Sequence, residues 1–354
     1  MTMTNRSPID RDYFDGFPEY HIESPGPEAG VYEDLEESSY HELPALGSSL
    51  MRLGLAESLK QYRHQKQNPP GHSDGMTLGS LVHWSLLEPE RWRREVIERP
   101  EPPVDPETLS STDVAIVKAL AADEPIDCEA VADQAGVKTS TVETRAADRD
   151  DIRQLADYLA ELDFDEIPDD ETIAKAESIR RCILEHPRIR GGMLDYETGR
   201  SELSLVWDDP FRPVRCKGRI DFETPVYGGV YLLDIKTTHM PVGAWRSERL
   251  YKPGHWAALQ AGHYAQGYET LTDRNVHAFA FVVCQTEPPH DCRIISVEGD
   301  ALEQARDWQH GLLGELVHYW RNPKQYLGAY PDVDRVQERH EYRQPQPLHH
   351  RSTS

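Results

Sequence analysis

Residues 229–238 read Gly-Val-Tyr-Leu-Leu-Asp-Ile-Lys-Thr-Thr. Side chains alternate across a strand, so Asp234 and Lys236 share one face with Val230 and Leu232, while Leu233 and Ile235 point into a core. An acid and a lysine at the polar end of an apolar strand are costly to bury unless used; a surface salt bridge is the plain alternative. Thirteen residues upstream, Asp221 ends the run Gly218-Arg219-Ile220-Asp221, and Tyr227-Gly228-Gly229 reads as a tight turn between the two runs. A hairpin there would let Asp221 and Asp234 converge. Two carboxylates and a flanking backbone carbonyl form a hard-oxygen set that suits Mg²⁺, and equally Mn²⁺. Lysine cannot ligate in such a site, but it can orient or activate a water and steady a phosphate. Metal-assisted hydrolysis of a phosphodiester needs that arrangement.

The elements around these residues follow from periodicity. A period of two predicts strands over 201–208, 216–223, 229–238, 277–284 and 292–298. Helices are expected from Leu46-Gly47-Ser48-Ser49-Leu50 through Leu53 and Leu59, and over 76–87, 171–186, 255–271 and 300–320. The helix over 76–87 stops at Glu88-Pro89, as a residue before proline should. Gln260 and Tyr264 stand at i and i+4 and therefore share a helix face. Arg215, Lys217 and Arg219 alternate on one strand face beside Asp221, where they could track a phosphate backbone; a solvated face is the equal alternative. Glu202 lies in the preceding strand, on the face of Ser204 and Val206.

Composition narrows the classes. The chain has 354 residues, a net charge of -24 and 38% hydrophobic residues. About two domains are expected at this length. No apolar run of about 18 residues exists, which argues against a membrane span, and the start MTMTNRSPID lacks a secretory apolar core, so a cytoplasmic protein is expected. The five cysteines have no C-x-x-C spacing and read as reduced thiols, against a cysteine-ligated iron–sulfur cluster. No phosphate-cradling glycine loop is present, so nothing implies ATP. The acidity is segregated: residues 1–50 hold 11 acids and 2 bases, and residues 101–171 hold 21 acids and 5 bases. The remainder is near neutral and could hold a basic groove. Residues 1–40 are expected to be a disordered acidic segment, and residues 331–354 a disordered polar tail. Residues 101–170 read as an acidic helical insertion, whose Ala-Gly-Val…Ser-Thr-Val stretch is helix-turn-helix-like.

Asp221…Asp234-Ile235-Lys236 resembles the D…(D/E)-x-K signature of the PD-(D/E)XK nuclease superfamily. Gly79 to His83 with Leu87-Glu88-Pro89-Glu90-Arg91-Trp92, Tyr40-His41…Leu46-Gly47-Ser48-Ser49-Leu50, and Gln260-Ala261-Gly262-His263-Tyr264 narrow it to RecE-type, exodeoxyribonuclease VIII-like phage or prophage exonucleases. The resemblance implies an α/β restriction-endonuclease-like core over 41–100 and 171–325, with a mixed central sheet flanked by helices. It implies that Asp221, Asp234 and the Ile235 carbonyl hold the metal ions, and that Lys236 handles the water and the scissile phosphate. His83 would touch metal or phosphate, a plain helix histidine being the alternative. Related nucleases carry an acid near Glu202, which would join the metal site. Gln260 and Tyr264 would orient Lys236 or hold a DNA strand, with helix–sheet packing the alternative for Tyr264.

The activity implied is Mg²⁺-dependent 5′→3′ resection of linear double-stranded DNA for recombination. The single strand left would pass to an annealing protein partner, and a ring-shaped homo-oligomer is implied. Besides a soluble enzyme whose acid–lysine pair is structural, two other readings stay open. One is a single-strand-specific or CRISPR-adaptation nuclease with the same site. The other is a non-catalytic DNA-binding or regulatory protein using the helix-turn-helix-like segment.

Overall fold

Alternating apolar residues after residue 200 build most of one six-stranded sheet, in the order β1-β2-β3-β4-β5-β6. The structure, a computed structural model, describes residues 27–33, 35–56, 74–105, 108–121, 126–161, 168–250 and 256–321. In chain order the first elements are β1 (Gly30–Tyr32), α1 (Glu37–Glu42), α2 (Ser48–Ala56), α3 (Asp74–Leu87) and α4 (Pro89–Trp92). Then come α5 (Ser111–Ala121), α6 (Cys128–Ala135), α7 (Thr139–Asp148), α8 (Asp150–Glu161) and α9 (Asp170–Glu185). After them run β2 (Arg200–Asp208), β3 (Arg215–Val226), β4 (Gly229–Thr238), α10 (Val242–Leu250) and α11 (Trp256–Leu271). The last are β5 (Asn275–Gln285), β6 (Cys292–Glu298) and α12 (Asp300–Arg321). Among the described residues no helix is long and apolar enough to cross a membrane.

The chain divides into two units, Met1–Gly71 with Arg181–Ser354, and His72–Arg180. In the first, every neighbouring strand pair is antiparallel except β4–β5. A parallel step needs a crossover connection, and α10 and α11 supply it. α11 packs on β2, β3 and β5, with α2 and α12 against it. Its Ala257, Ala261 and Ala265, four apart and buried, join the core of Leu203, Leu205, Trp207, Ile220, Leu232, Phe279 and Phe281. Small side chains let the helix approach closely. A Cβ on its Gly262 would stand 2.2 Å from the Ala305 carbonyl of α12.

The expected disorder of residues 1–40 is corrected where that segment is described. Gly30–Tyr32 pairs antiparallel with Val206–Ser204 of β2, and Glu37–Glu42 is helical. Leu46 forms a parallel bridge with Cys216, its N–H donating to the Arg215 carbonyl at 2.9 Å. The Lys217 ammonium donates to the carbonyls of Tyr40, His41 and Leu43 at 2.8, 2.9 and 3.1 Å. Those carbonyls lie at the C-terminal end of α1, so a cation there ties the segment to β3. Residues 1–26, Leu59 and the expected tail 331–354 lie outside the described residues.

The second unit has its own core, with Ile116, Val117, Val131, Val142, Ile152, Leu155 and Leu159 buried among α5–α8. Asp127 caps α6 by accepting the N–H groups of Glu129 and Ala130. Gly136 ends that helix at φ 66°, a left-handed conformation that glycine adopts without strain, and α7 follows at once. The expected boundary at residue 100 falls inside this unit. The Tyr158 hydroxyl of α8 donates to the Pro100 carbonyl at 2.8 Å, and Arg180 Nε of α9 to the Ser85 carbonyl of α3 at 2.9 Å.

His263 of α11 is fully buried, with its ring 4.6 Å from that of Trp207 and Nε2 3.1 Å from the Lys217 carbonyl. Burial pulls its pKa down to about 4, more than the carbonyls of Lys217 and Leu46 lift it. The unfolded chain, with an ordinary histidine, then binds the proton between pH about 6.5 and 4 while the folded chain does not. Stability is therefore lost as pH falls through that window, by about 3 kcal/mol from this residue. Denaturant melts at pH 7 and 4.5 should show a smaller pH-dependent loss in His263→Gln than in the natural chain.

Candidate metal centre

The β3–β4 hairpin zips from Val226↔Gly229 down to Phe222↔Leu233, where its ladder stops. One step further in that register, Asp221 faces Asp234. There the Ile235 N–H donates not to a backbone carbonyl of β3 but to Asp221 Oδ2, at 2.6 Å. On the other side of this point β3 borders the Leu46 segment instead. β3 thus changes neighbour at Asp221, and the carboxylate fills the gap.

The faces of the strands slip at the same place. In register, Ile220 stands opposite Ile235, yet Ile220 packs in the α11-side core with Leu232 while Phe222, Leu233 and Ile235 lie outside that cluster. Across the other edge, Ser201 pairs with Phe222 and Leu203 with Ile220, which sets Glu202 opposite Asp221. Glu202 has φ 53°, the left-handed region that a non-glycine residue adopts under strain. Glu202 still pairs with Arg219, the residue directly opposite Ser204. A Glu202 carboxylate oxygen lies within 4.8 Å of an Asp221 one.

Asp234 is 1% exposed, and both its oxygens are engaged. Lys236 Nζ stands 2.5 Å from Oδ1, and Gln260 Nε2 of α11 donates to Oδ2 at 2.5 Å. Gln260 thus grips the acid rather than Lys236. Burial pushes the Lys236 pKa down, but Asp234 and Asp221 outweigh it and hold the ammonium well above the ordinary lysine value.

Tyr264, one turn beyond Gln260, is buried with its ring flat against Gly218, where a Cβ would come within 2.7 Å of it. Burial first, and Asp234 second, raise its pKa, and its hydroxyl bonds to Ser48 and to the Arg219 backbone. Tyr40 joins that cluster, hydrogen-bonded to Tyr264 and with its own pKa raised by burial. Reading the sequence residue by residue missed Tyr40, Ser48 and Gly218. The signal was there, since Tyr40 and Ser48 belong to the Tyr-His…Leu-Gly-Ser-Ser stretch and Gly218 directly precedes Arg-Ile-Asp.

Arg215, Lys217 and Arg219, the residues of the expected phosphate track, lie along β3. The three alternate as expected, but each has an internal partner. Arg215 Nε donates to Asp208 at 3.1 Å, and Lys217 closes α1. Arg219 bonds the Leu35 carbonyl, and its Nε lies 3.3 Å from Glu202 Oε2. Its guanidinium thereby orients Glu202. His83 lies half-buried on α3 of the second unit.

Asp221, Glu202, Asp234 and the Ile235 carbonyl, which leaves the strand on the same side as its N–H, are hard oxygen donors. This donor set fits Mg²⁺ or Mn²⁺ and contains no thiolate to favour a softer ion.

Residues 48–325 match the model of a family described as PDDEXK-like domain of unknown function (DUF3799). No curated protein matches the chain. Among solved structures, a protein from Eubacterium rectale, provisionally described as an exonuclease, is 13% identical with a TM-score of 0.46, covering 82% of this chain and 87% of its own. Another, titled SSO0001, is 13% identical with a TM-score of 0.23, covering 68% of this chain and 88% of its own.

Gly218→Ala should push the Tyr264 ring off β3. Expected is a destabilisation of about 1–3 kcal/mol in denaturant melts, with part of it restored when Tyr264→Leu is combined with it. An unchanged midpoint in the single variant would contradict this packing.

Proposed function

The chain belongs to the PDDEXK-like domain family, and from that premise we propose that it is a divalent-metal-dependent DNA exonuclease of the RecE type. One observation carries the reading. Asp221 closes the gap between β3 and β4, and Asp234, Lys236 and Gln260 form a bonded set directly beside it. Asp221, Asp234, Glu202 and the Ile235 carbonyl would hold the ion. When bound, it would neutralise phosphate charge and make a water acidic enough to attack. The chain's own groups do the rest. Gln260 fixes the Asp234 carboxylate, and Arg219 fixes that of Glu202. Lys236, whose ammonium the two aspartates favour, would serve as donor and counter-charge to the phosphate and the attacking water. On the family resemblance, His83 adds a metal or phosphate contact.

The substrate in this proposal is linear double-stranded DNA, resected 5′→3′. A single-strand annealing protein receives the product, the enzyme works as a ring-shaped homo-oligomer, and its place is the cytoplasm.

The test is digestion of linear duplex labelled at either 5′ or 3′ ends, with Mg²⁺, Mn²⁺ or chelator, beside covalently closed circles. Release of 5′ label from linear DNA only, abolished by chelator, is the expected result. Asp221→Asn, Asp234→Asn and Lys236→Met should each lose roughly 10²–10³-fold or more in rate while keeping the fold. Cutting of closed circles, or of single strands alone, would move the protein to another nuclease class with the same site.

A further inference from the structure

Three of the five cysteines come together away from the carboxylates. Cys284 of β5 and Cys292 of β6 are direct cross-strand partners. The next pair outward, Gln285 and Asp291, carries the backbone hydrogen bond, the Gln285 N–H donating to the Asp291 carbonyl at 2.9 Å. Hydrogen-bonded and non-hydrogen-bonded pairs alternate along an antiparallel ladder, so Cys284 and Cys292 occupy a non-hydrogen-bonded pair. Their Cα atoms then stand about 4.5 Å apart, with side chains at closest approach. That spacing falls inside the roughly 4.4–6.8 Å span of disulfides. The Cys284 thiol donates to the His290 carbonyl in the β5–β6 connection at 3.3 Å. Cys284 is fully buried and Cys292 half-buried, so solvent reaches the second. Cys182 of α9 is the third, its Sγ 3.9 Å from the Pro289 carbonyl in the β5–β6 connection. None of this serves the phosphodiester chemistry.

We propose that Cys284 and Cys292 form a peroxide-sensitive thiol pair that closes to a cross-strand disulfide. Cys292 is the attacking thiol. It is the more exposed of the two, so peroxide reaches it first, and Cys284 beside it holds its pKa below the ordinary thiol value, whereas Cys292 and burial raise that of Cys284. The Cys292 thiolate attacks one peroxide oxygen and expels the other, which leaves as water after taking up a proton. Cys292 becomes a sulfenic acid. The Cys284 sulfur then attacks the Cys292 sulfur, its proton leaving with the hydroxyl as a second water. Two thiols lose two electrons and one peroxide gains them. Cys284 pairs laterally with Thr237 of β4, so the cross-link forms one position beyond the level of Lys236.

The experiment treats the full-length protein with graded hydrogen peroxide, counts thiols and maps peptides without reductant. Expected is a fall from five thiols to three, a mass loss of two hydrogens per chain, and a linked pair of peptides carrying Cys284 and Cys292 after cleavage at Asp291. Dithiothreitol should reverse it. Cys182→Ser should leave the link intact, and Cys292→Ser should abolish it. Circular dichroism checks that each variant is folded, and Cys284→Ala serves as the second variant if Cys292→Ser is not. A link through Cys182, sulfinic acid at Cys292 beside an unreacted Cys284, or five surviving thiols in the folded protein would each overturn the proposal.

Discussion

One hydrogen bond organises the catalytic end of this molecule, that from the Ile235 amide to the Asp221 carboxylate. A backbone N–H buried without an acceptor is costly, so where two strands part company something must take over. Here an ionisable side chain does so. The same contact fixes Asp221, marks the end of the hairpin and frees the upper half of β3 to accept the Leu46 segment as its neighbour. Without an acceptor at this point the hairpin would have to zip further and squeeze out the space between the aspartates, or leave an amide unpaired.

Burying several acids within one small region demands compensation of charge. Each acid has its own cation or amide: Asp234 has Lys236 and Gln260, Glu202 has Arg219, and Glu223, two residues beyond Asp221, has Arg200 and Arg274. The overall charge of -24 therefore says little about the centre itself, where partners are matched locally. Buried pairs of this kind resist screening by salt.

Much of the centre was legible in the sequence because it follows from period and turn chemistry. Alternation in β4 put Asp234 and Lys236 together, the Tyr-Gly-Gly turn made the hairpin, and the i, i+4 spacing set Gln260 and Tyr264 on one face. What escaped were departures from periodicity. A left-handed residue inside a strand, at Glu202, has no signature in residue type. Basic residues on alternate positions read as a phosphate surface, and only tertiary contacts reveal that Lys217 is spent on helix carbonyls. The order in residues 30–42 was hidden for a related reason. That stretch is too polar to promise a core, and it is held by the edge of β2 and by one ammonium rather than by its own apolar content.

The bridge between Leu46 and Cys216 sets the tempo at which such a chain can assemble. Lys217 meets the Tyr40 carbonyl across a sequence separation of 177 residues. Closing so long a loop early is entropically unfavourable, and non-local pairings slow folding strongly. The helical unit between them has its own core and shortens the effective tether once it has collapsed. The strand hairpin of β3 and β4 is local and can form first. The segment carrying Tyr40 and Ser48 can complete the neighbourhood of Tyr264 only after synthesis has passed residue 264. The final assembly of the centre is thereby a late, cooperative event in the life of each chain, and a half-made molecule carries the two aspartates without the frame that holds them.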